Sequence, residues 1–113
     1  MSAKIVYVSK VDSENYEEFI KNDGINVVDV WDSWCGPCMV LSPIIDQIAA
    51  DFTEEGVNIK IGKMQAGTNR DKLIELGITS IPTILIYKNS ELVEKHIGAI
   101  PKDKLKDMIK KHV

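Results

Sequence analysis

The sequence predicts a single α/β domain over residues 1–113, and three observations support this prediction. Segments with a strand-like apolar pattern alternate with segments of helical period through most of the chain. Near the C-terminus, two strand-like segments follow one another directly. A chain of 113 residues also has the usual length of one domain with its own core. We therefore expect parallel strand pairing early in the chain and antiparallel pairing late.

The first half of the chain predicts two strands and two helices. A short β-branched run at residues 5–8 predicts the first strand. Asp12 or Ser13 can cap a first helix, which Gly24 closes. Ile25–Trp31 is nearly continuous in apolar residues, which predicts a central strand covered on both faces. From Cys35 onward the apolar residues fall on one helical stripe, which predicts a long second helix.

The second half predicts a strand, a helix, a pair of strands and a last helix. The first four of these cover residues 57–64, Arg70–Leu76, 83–87 and 92–97. Gly77 ends the short helix, and Asn89-Ser90 forms the turn between the paired strands. Pro101 begins the last helix, because proline suits the first helical turn.

The overall charge excludes some partners. Fourteen basic and 17 acidic side chains give a formal charge of −3, so we expect neither nucleic acid nor an anionic membrane as a partner. The apolar stretches are too short for a secretory signal or a membrane span. We therefore expect a cytoplasmic protein, in whose reducing surroundings structural disulfides are disfavoured.

The only two cysteines lie in Trp34-Cys35-Gly36-Pro37-Cys38, where the strand pattern changes to the helical one. A helix that starts at Cys35 places Cys38 one turn further in, within reach of a disulfide. The unpaired N–H groups at a helix start favour a thiolate at Cys35. We therefore expect Cys35 to attack a disulfide and the more buried Cys38 to resolve the mixed disulfide. Gly36 removes bulk beside the sulfur, and Pro37 stiffens the ring.

Three other interpretations of the cysteine pair compete with redox exchange. A zinc site needs four ligands, and His96 and His112 are not spaced as a second pair. A haem attachment needs histidine directly after the second cysteine, but that residue is Met39. A passive structural pair stays open as an alternative.

With these residues, the sequence resembles the thioredoxin family over nearly its whole length. The matching segments are Val28-Asp29-Val30-Trp31, Trp34-Cys35-Gly36-Pro37-Cys38, Pro43, Ile81-Pro82-Thr83, Lys88-Asn89 and Gly98-Ala99. The resemblance implies the thioredoxin fold, a central mixed five-stranded sheet flanked by four helices. It also implies a protein-disulfide reductase that acts on disulfide-containing client proteins and is regenerated by thioredoxin reductase. Beyond the redox-active Cys35–Cys38 disulfide, we expect no cofactor and no metal.

The resemblance also assigns roles to residues outside the cysteine motif. Asp29 matches an aspartate that family members bury beneath the second cysteine. Lys63 matches the lysine that accompanies this aspartate, and Pro82 matches a cis-proline that faces the sulfurs. Burial of Asp29 in an apolar strand should raise its pKa, which suits proton exchange with Cys38. The alternatives are a satisfied core or strand-edge aspartate and a solvated lysine. The apolar rim that receives client segments corresponds to Trp34, Gly36, Pro37, Ile81, Gly98 and Ala99, although Trp34 has a core aromatic as its alternative.

The sequence departs from the family pattern in four places. Asp32 stands in place of alanine, Met39 in place of a basic residue, Gln65-Ala66-Gly67 in place of a more acidic stretch, and Ser90 in place of a turn glycine. The first two changes both disfavour a thiolate, so we expect Cys35 to ionise at a higher pH and the couple to be more reducing. The alternative is that Asp32 points to solvent and has little effect.

Two other functions remain as hypotheses beside the reductase. In the first, a thioredoxin-like rim grips a partner as a binding or assembly module, and thiol cycling is incidental. In the second, the chain is an oxidase or isomerase of an oxidising compartment, which Gly36-Pro37 and the absence of a signal pattern make less favoured.

Overall fold

The computed structural model describes residues 5–113, which form one mixed sheet of five strands and four helices. In chain order these elements are β1 (Val8–Val11), α1 (Tyr16–Ile20), β2 (Ile25–Trp31), α2 (Gly36–Glu55), β3 (Ile59–Gln65), α3 (Arg70–Leu76), β4 (Thr83–Lys88), β5 (Glu91–Ile97) and α4 (Lys102–Lys110). The predicted fold class and the predicted order of elements are confirmed.

The strands lie in the order β1-β3-β2-β4-β5. Strands β1 and β2 both pair in parallel with β3, whereas β4 is antiparallel to β2 and β5 is antiparallel to β4. The expected change from parallel to antiparallel pairing is therefore confirmed. Strand β2 is central, and its residues from Ile25 to Val30 are all buried.

Two apolar cores cover the two faces of the sheet. Alternate residues of β2, Ile25 and Val27, pack on one face with α2 and α4, through side chains that include Phe52 and Leu105. The intervening residues, Val28 and Val30, pack on the other face with α1 and α3. Because β2 contacts both cores, its sequence is apolar at nearly every position.

The prediction of the first strand at residues 5–8 is wrong. Pairing with β3 begins at Val8, opposite Ile61, and ends at Val11. Ile5 and Tyr7 are 58% and 68% exposed, whereas Val6 packs in the core. The apolar run thus anchors Val6 against the α2 side, and the register with β3, a long-range interaction, determines where pairing starts.

Smaller boundary differences have local causes. Helix α1 begins only at Tyr16, because the Asp12 side chain accepts from the N–H groups of Glu14 and Asn15 in a turn that precedes the helix. Strand β3 begins two residues later than predicted and ends at Gln65. The β4–β5 turn holds Asn89 and Ser90 at φ values of 50° and 72°, so Ser90 adopts the left-handed conformation that glycine adopts more easily.

Candidate active site

Cys35 lies at the N-cap of α2, and a disulfide joins it to Cys38 in the first turn. The two Cα atoms are 5.2 Å apart. The backbone N–H of Cys38 donates to Cys35 Sγ at 3.3 Å, so the sulfur takes the place of a capping oxygen. Pro37 falls in the first turn, where its missing N–H is not needed. The helix start thus presents a hydrogen-bond donor to the sulfur that would carry negative charge.

The two cysteines differ in depth. Cys35 is 6% exposed and Cys38 is 1% exposed, while the neighbouring Gly36 and Pro37 are exposed. Cys35 is therefore the less buried sulfur and Cys38 the deeper one. Their roles as attacking and resolving thiols stay a prediction.

Asp29 lies on β2 with its side chain fully buried on the face that α2 covers. Neither carboxylate oxygen has a hydrogen-bond partner among residues 5–113. Burial raises the pKa of Asp29 from 3.8 to about 7, although Lys63 acts in the opposite direction. Asp29 lies on the central strand, so the alternative of a strand-edge aspartate is wrong, and its role in proton exchange stays a prediction.

Lys63 occupies the register position opposite Asp29 on β3, so both side chains project from the same face of the sheet. Its ammonium donates to Ser42 Oγ at 2.6 Å and to Asp46 Oδ1 at 3.0 Å. Cys38, Ser42 and Asp46 follow one another at intervals of four residues along α2. Lys63 is thus tied to the helix face that carries Cys38, and the alternative of a solvated lysine is wrong.

The Ile81–Pro82 peptide bond is cis, and Pro82 is buried at the start of β4. The N–H of Gly98 donates to the Pro82 carbonyl at 2.8 Å. Gly98 has a φ of 96°, a conformation that other residues rarely adopt. The segments around Pro82 and Gly98 are therefore joined to one another.

Trp34 is 74% exposed, so the alternative of a core aromatic is wrong. Together with Ile81, it lines a groove of about 410 Å³ whose other walls include Ala66, Leu73 and Ile78. Gly98 and Ala99 do not line this groove. The structure thus brings Trp34 and Ile81 into one groove, whereas Gly98 bonds to Pro82 and lies outside this groove.

Asp32 does not point to solvent, so that alternative is also wrong. The residue is 4% exposed, and its carboxylate accepts from Ser33 N at 2.7 Å and from Gly67 N at 2.8 Å. A third donor, Gln65 Nε2, lies at 3.2 Å and is the main cause of a lowered Asp32 pKa. The Asp32 carbonyl also accepts from Cys35 N at 3.2 Å. Asp32 therefore ties the loop before Cys35 to the loop after β3.

The sequence carries no local signal for the contact of Asp32 with Gly67, although both residues depart from the family pattern. A Cβ atom at position 67 would lie 2.9 Å from Asp32 Oδ2. The carboxylate at position 32 thus occupies space that a side chain at position 67 would need. Two departures that are 35 residues apart thus contact each other.

The described residues were also compared with the requirements of a metal site and of a membrane-spanning helix. Within residues 5–113, no group of three or more histidine, cysteine, aspartate or glutamate side chains is arranged to hold a metal ion. No helix in this part of the chain is long and apolar enough to cross a membrane.

Comparisons with known proteins agree on one family. A family model described as Thioredoxin matches residues 7–111. Thioredoxin 2 of Chlorobaculum tepidum is 34% identical over 113 residues, covering 100% of this chain and 99% of that protein. The thioredoxin of Porphyra purpurea is 39% identical over 107 residues, covering 94% and 97%. The solved structure of a mutant thioredoxin from Halobacterium salinarum NRC-1 matches this chain with a TM-score of 0.80, over 99% of this chain and 94% of that chain. The two sequences are 22% identical, so this match supports the fold alone.

Proposed function

This chain belongs to the thioredoxin family and is a thiol–disulfide oxidoreductase, and we propose that it acts as a protein-disulfide reductase. The observation that carries the proposal is the position of Cys35 at the N-cap of α2, disulfide-bonded to Cys38 and in contact with its N–H. A sulfur in this position is the less buried of the pair, accepts a hydrogen bond that would stabilise its anion, and has a second sulfur within bonding distance.

In the first step, the Cys35 thiolate attacks one sulfur of a client disulfide. A bond forms between Cys35 and that sulfur while the client S–S bond breaks. The other client sulfur leaves as a thiolate and takes up a proton. Because Cys35 is the more exposed cysteine, it reaches the client first.

In the second step, Cys38 loses its proton and attacks Cys35 Sγ. The Cys35–Cys38 bond forms, the mixed disulfide breaks, and the client leaves with both sulfurs reduced. Asp29 is the proposed acceptor of the Cys38 proton, since its pKa of about 7 lets it take up or release a proton near neutral pH. Lys63 on β3 opposes the rise in the Asp29 pKa and is proposed as a positioning residue, because it bonds to Ser42 on the helix face that carries Cys38.

The oxidised protein needs two electrons and two protons before it can act again. We propose a thioredoxin reductase as the electron donor. The support for this partner is family membership and the disulfide itself, which is the form that such a reductase accepts.

Client segments are proposed to bind in extended form along the rim formed by Trp34, Gly36, Pro37, Ile81, Gly98 and Ala99. The exposed ring of Trp34 offers apolar contact, and its groove reaches Ile81, the residue before cis-Pro82. Because the Pro82 carbonyl and the Gly98 N–H bond to each other, the backbone of Ile81 is the proposed place for pairing with a client strand.

We further propose a cytoplasmic location. The reduced state of the cysteine pair is the state that attacks clients, and a reducing compartment maintains it. Fractionation of cells that express the chain, with the Cys35 redox state measured by alkylation in each fraction, tests this proposal.

The Cys38→Ser variant tests the reaction, because it can form the mixed disulfide but cannot resolve it. We expect the purified variant to accumulate a covalent complex with an oxidised protein substrate such as insulin, linked through Cys35 and released by dithiothreitol. The matched Cys35→Ser variant should form little of this complex. Equal trapping by the two variants, or none by either, would refute the assigned roles.

A further inference from the structure

On the α3 side of Trp34, the groove that reaches Ile81 continues into a second groove, and the two share Trp34, Ala66, Leu73 and Ile78. The second groove has a volume of about 340 Å³, and its walls come from the loop before Cys35 and from the first turns of α3. The residues that line this groove include Asp32, Trp34, Gly67, Arg70 and Ile74. Because Trp34 lines both grooves, a segment that contacts Trp34 can extend into this one.

The groove is largely apolar and open. Trp34 is 74% exposed and Ile74 is 77% exposed, and both line it. Leu73 and Ile78 form more of its lining. Large apolar side chains that line one concave surface beside a reactive sulfur are typical of a place where a partner docks.

The walls of the groove are fixed relative to one another. Asp32 on one side accepts a hydrogen bond from Gly67 N on the other side at 2.8 Å, and it also accepts from Gln65 Nε2 at 3.2 Å. Both oxygens of the Asp32 carboxylate therefore accept hydrogen bonds from other residues of the chain. A ligand therefore meets a groove that is already formed, in which Asp32 keeps its negative charge while its oxygens accept from donors of the chain.

Arg70 supplies a positive charge to the groove. It is exposed, and within residues 5–113 the ion pairs of α3 are made by Lys72 and Glu75 and do not include Arg70. Arg70 also lies at the first position of α3, where a cation opposes the helix dipole and does not stabilise the helix. The groove thus combines apolar walls with a guanidinium that makes no ion pair within the described part of the chain.

We propose that, where a client segment lies along Trp34, Arg70 selects clients that carry a carboxylate next to an apolar side chain in this groove. The proposal rests on the proposed function and names the class of substrate. A guanidinium binds a carboxylate through two parallel hydrogen bonds, while Trp34 and Ile74 cover the apolar neighbour. Of the two charged residues that line the groove, Asp32 is 4% exposed and Arg70 is exposed, so Arg70 is the charge that a client contacts directly.

The test uses oxidised synthetic peptides that share one intramolecular disulfide and one flanking leucine. The peptides differ in one variable residue, which is glutamate, glutamine or lysine. A separate set of three peptides is made for each position of this residue on either side of the disulfide. The second-order rate constant for reduction by the pre-reduced, full-length protein is measured at low salt in acid-quenched samples, so no reductase is needed. At the best position, we expect glutamate to exceed lysine by about fivefold, as for an exposed ion pair, and added salt to reduce the ratio.

Two variants separate the role of Arg70 from a general charge effect. Arg70→Glu should invert the preference, so that the lysine peptide reacts faster. Lys104→Glu makes the same change of sign on an exposed residue of α4 and should leave the ratio unchanged. An Ile74→Gln variant should slow all three peptides about equally.

The outcomes distinguish this proposal from the proposed function. If the glutamine peptide is reduced but no position gives a charge preference, or if Arg70→Glu and Lys104→Glu change the ratio equally, the groove proposal is overturned and the reductase remains. If none of the peptides is reduced, the proposed function fails and the groove proposal fails with it.

Discussion

Asp29 on β2 and Lys63 on β3 occupy paired positions in the sheet, yet no hydrogen bond joins their side chains. Lys63 donates to Ser42 and Asp46, and the buried Asp29 carboxylate has no hydrogen-bond partner among the described residues. Burial of a carboxylate in this condition disfavours its ionised form and raises its pKa. The arrangement keeps an acid that titrates near neutral pH beside the helix face that carries Cys38.

The first prediction concerns the stability cost of Asp29. Its pKa rises from 3.8 to about 7 on folding, so the folded state holds more protons than the unfolded state between these values. Stability is therefore greatest below pH 3.8 as far as this group is concerned, and it is lost as the pH rises to about 7. Asp29→Asn should raise the free energy of unfolding at pH 8 by about 4 kcal/mol, with a much smaller gain near pH 4.

Chemical denaturation of both proteins at several pH values checks this prediction. Asp23→Asn, which removes an exposed carboxylate from the loop before β2, is the matched control and should show little effect at any pH. A gain from Asp29→Asn that does not grow with pH would contradict the account.

The second prediction concerns the two charges near Asp29. Lys63 lowers the pKa of Asp29 and Asp46 raises it. Lys63→Met should therefore shift the Asp29 titration to higher pH, and Asp46→Asn should shift it to lower pH. Carboxyl carbon NMR in the reduced protein measures both shifts, and shifts in the same direction would show that these charges do not govern Asp29.

The third prediction concerns the charge of Asp32. Its carboxylate lies in the loop that leads to Cys35, and its lowered pKa keeps it ionised at neutral pH. A negative charge here opposes the Cys35 thiolate, so Asp32→Asn and Asp32→Ala should both let Cys35 ionise at a lower pH. The pH dependence of the Cys35 alkylation rate reports this. No downward movement in either variant would refute the effect, and movement in the alanine variant alone would assign it to the lost hydrogen bonds.

The fourth prediction concerns the coupling of Asp32 with Gly67. A methyl group at position 67 would lie 2.9 Å from Asp32 Oδ2, so Gly67→Ala should destabilise the protein and weaken the tie between the two loops. In an Asp32→Ala background, the same change should cost much less, because the obstructing carboxylate is gone. Equal costs in the two backgrounds, measured by thermal unfolding, would mean that the two positions are independent.

The sequence predicts well where local signals mark the end of an element. Ile25–Trp31 is preceded by a glycine turn, and Arg70–Leu76 is ended by Gly77, and both appear with the predicted bounds. The first strand was misplaced because its position depends on pairing with β3, roughly 50 residues away along the chain. A single-domain organisation of residues 1–113 stays a prediction, and residues 1–4 lie outside the described part of the chain.

The site shows the same division between local and long-range information. The N-cap position of Cys35 follows from residues within one turn, and the burial of Asp29 follows from its apolar neighbours. The contact of Asp32 with Gly67 and the groove between Trp34 and Arg70 join segments that only the folded sheet brings together. A cis bond before Pro82 also exceeds what local sequence can specify, since few X–Pro bonds are cis.

The most direct measurement of the central claim is competitive alkylation of the reduced protein at neutral pH. Limiting iodoacetamide is added, and mass spectrometry of peptides locates the label. Because Cys35 is the more exposed cysteine and lies at the helix start, we predict that it is modified while Cys38 remains free. Equal labelling of the two residues, or preferential labelling of Cys38, would contradict the account.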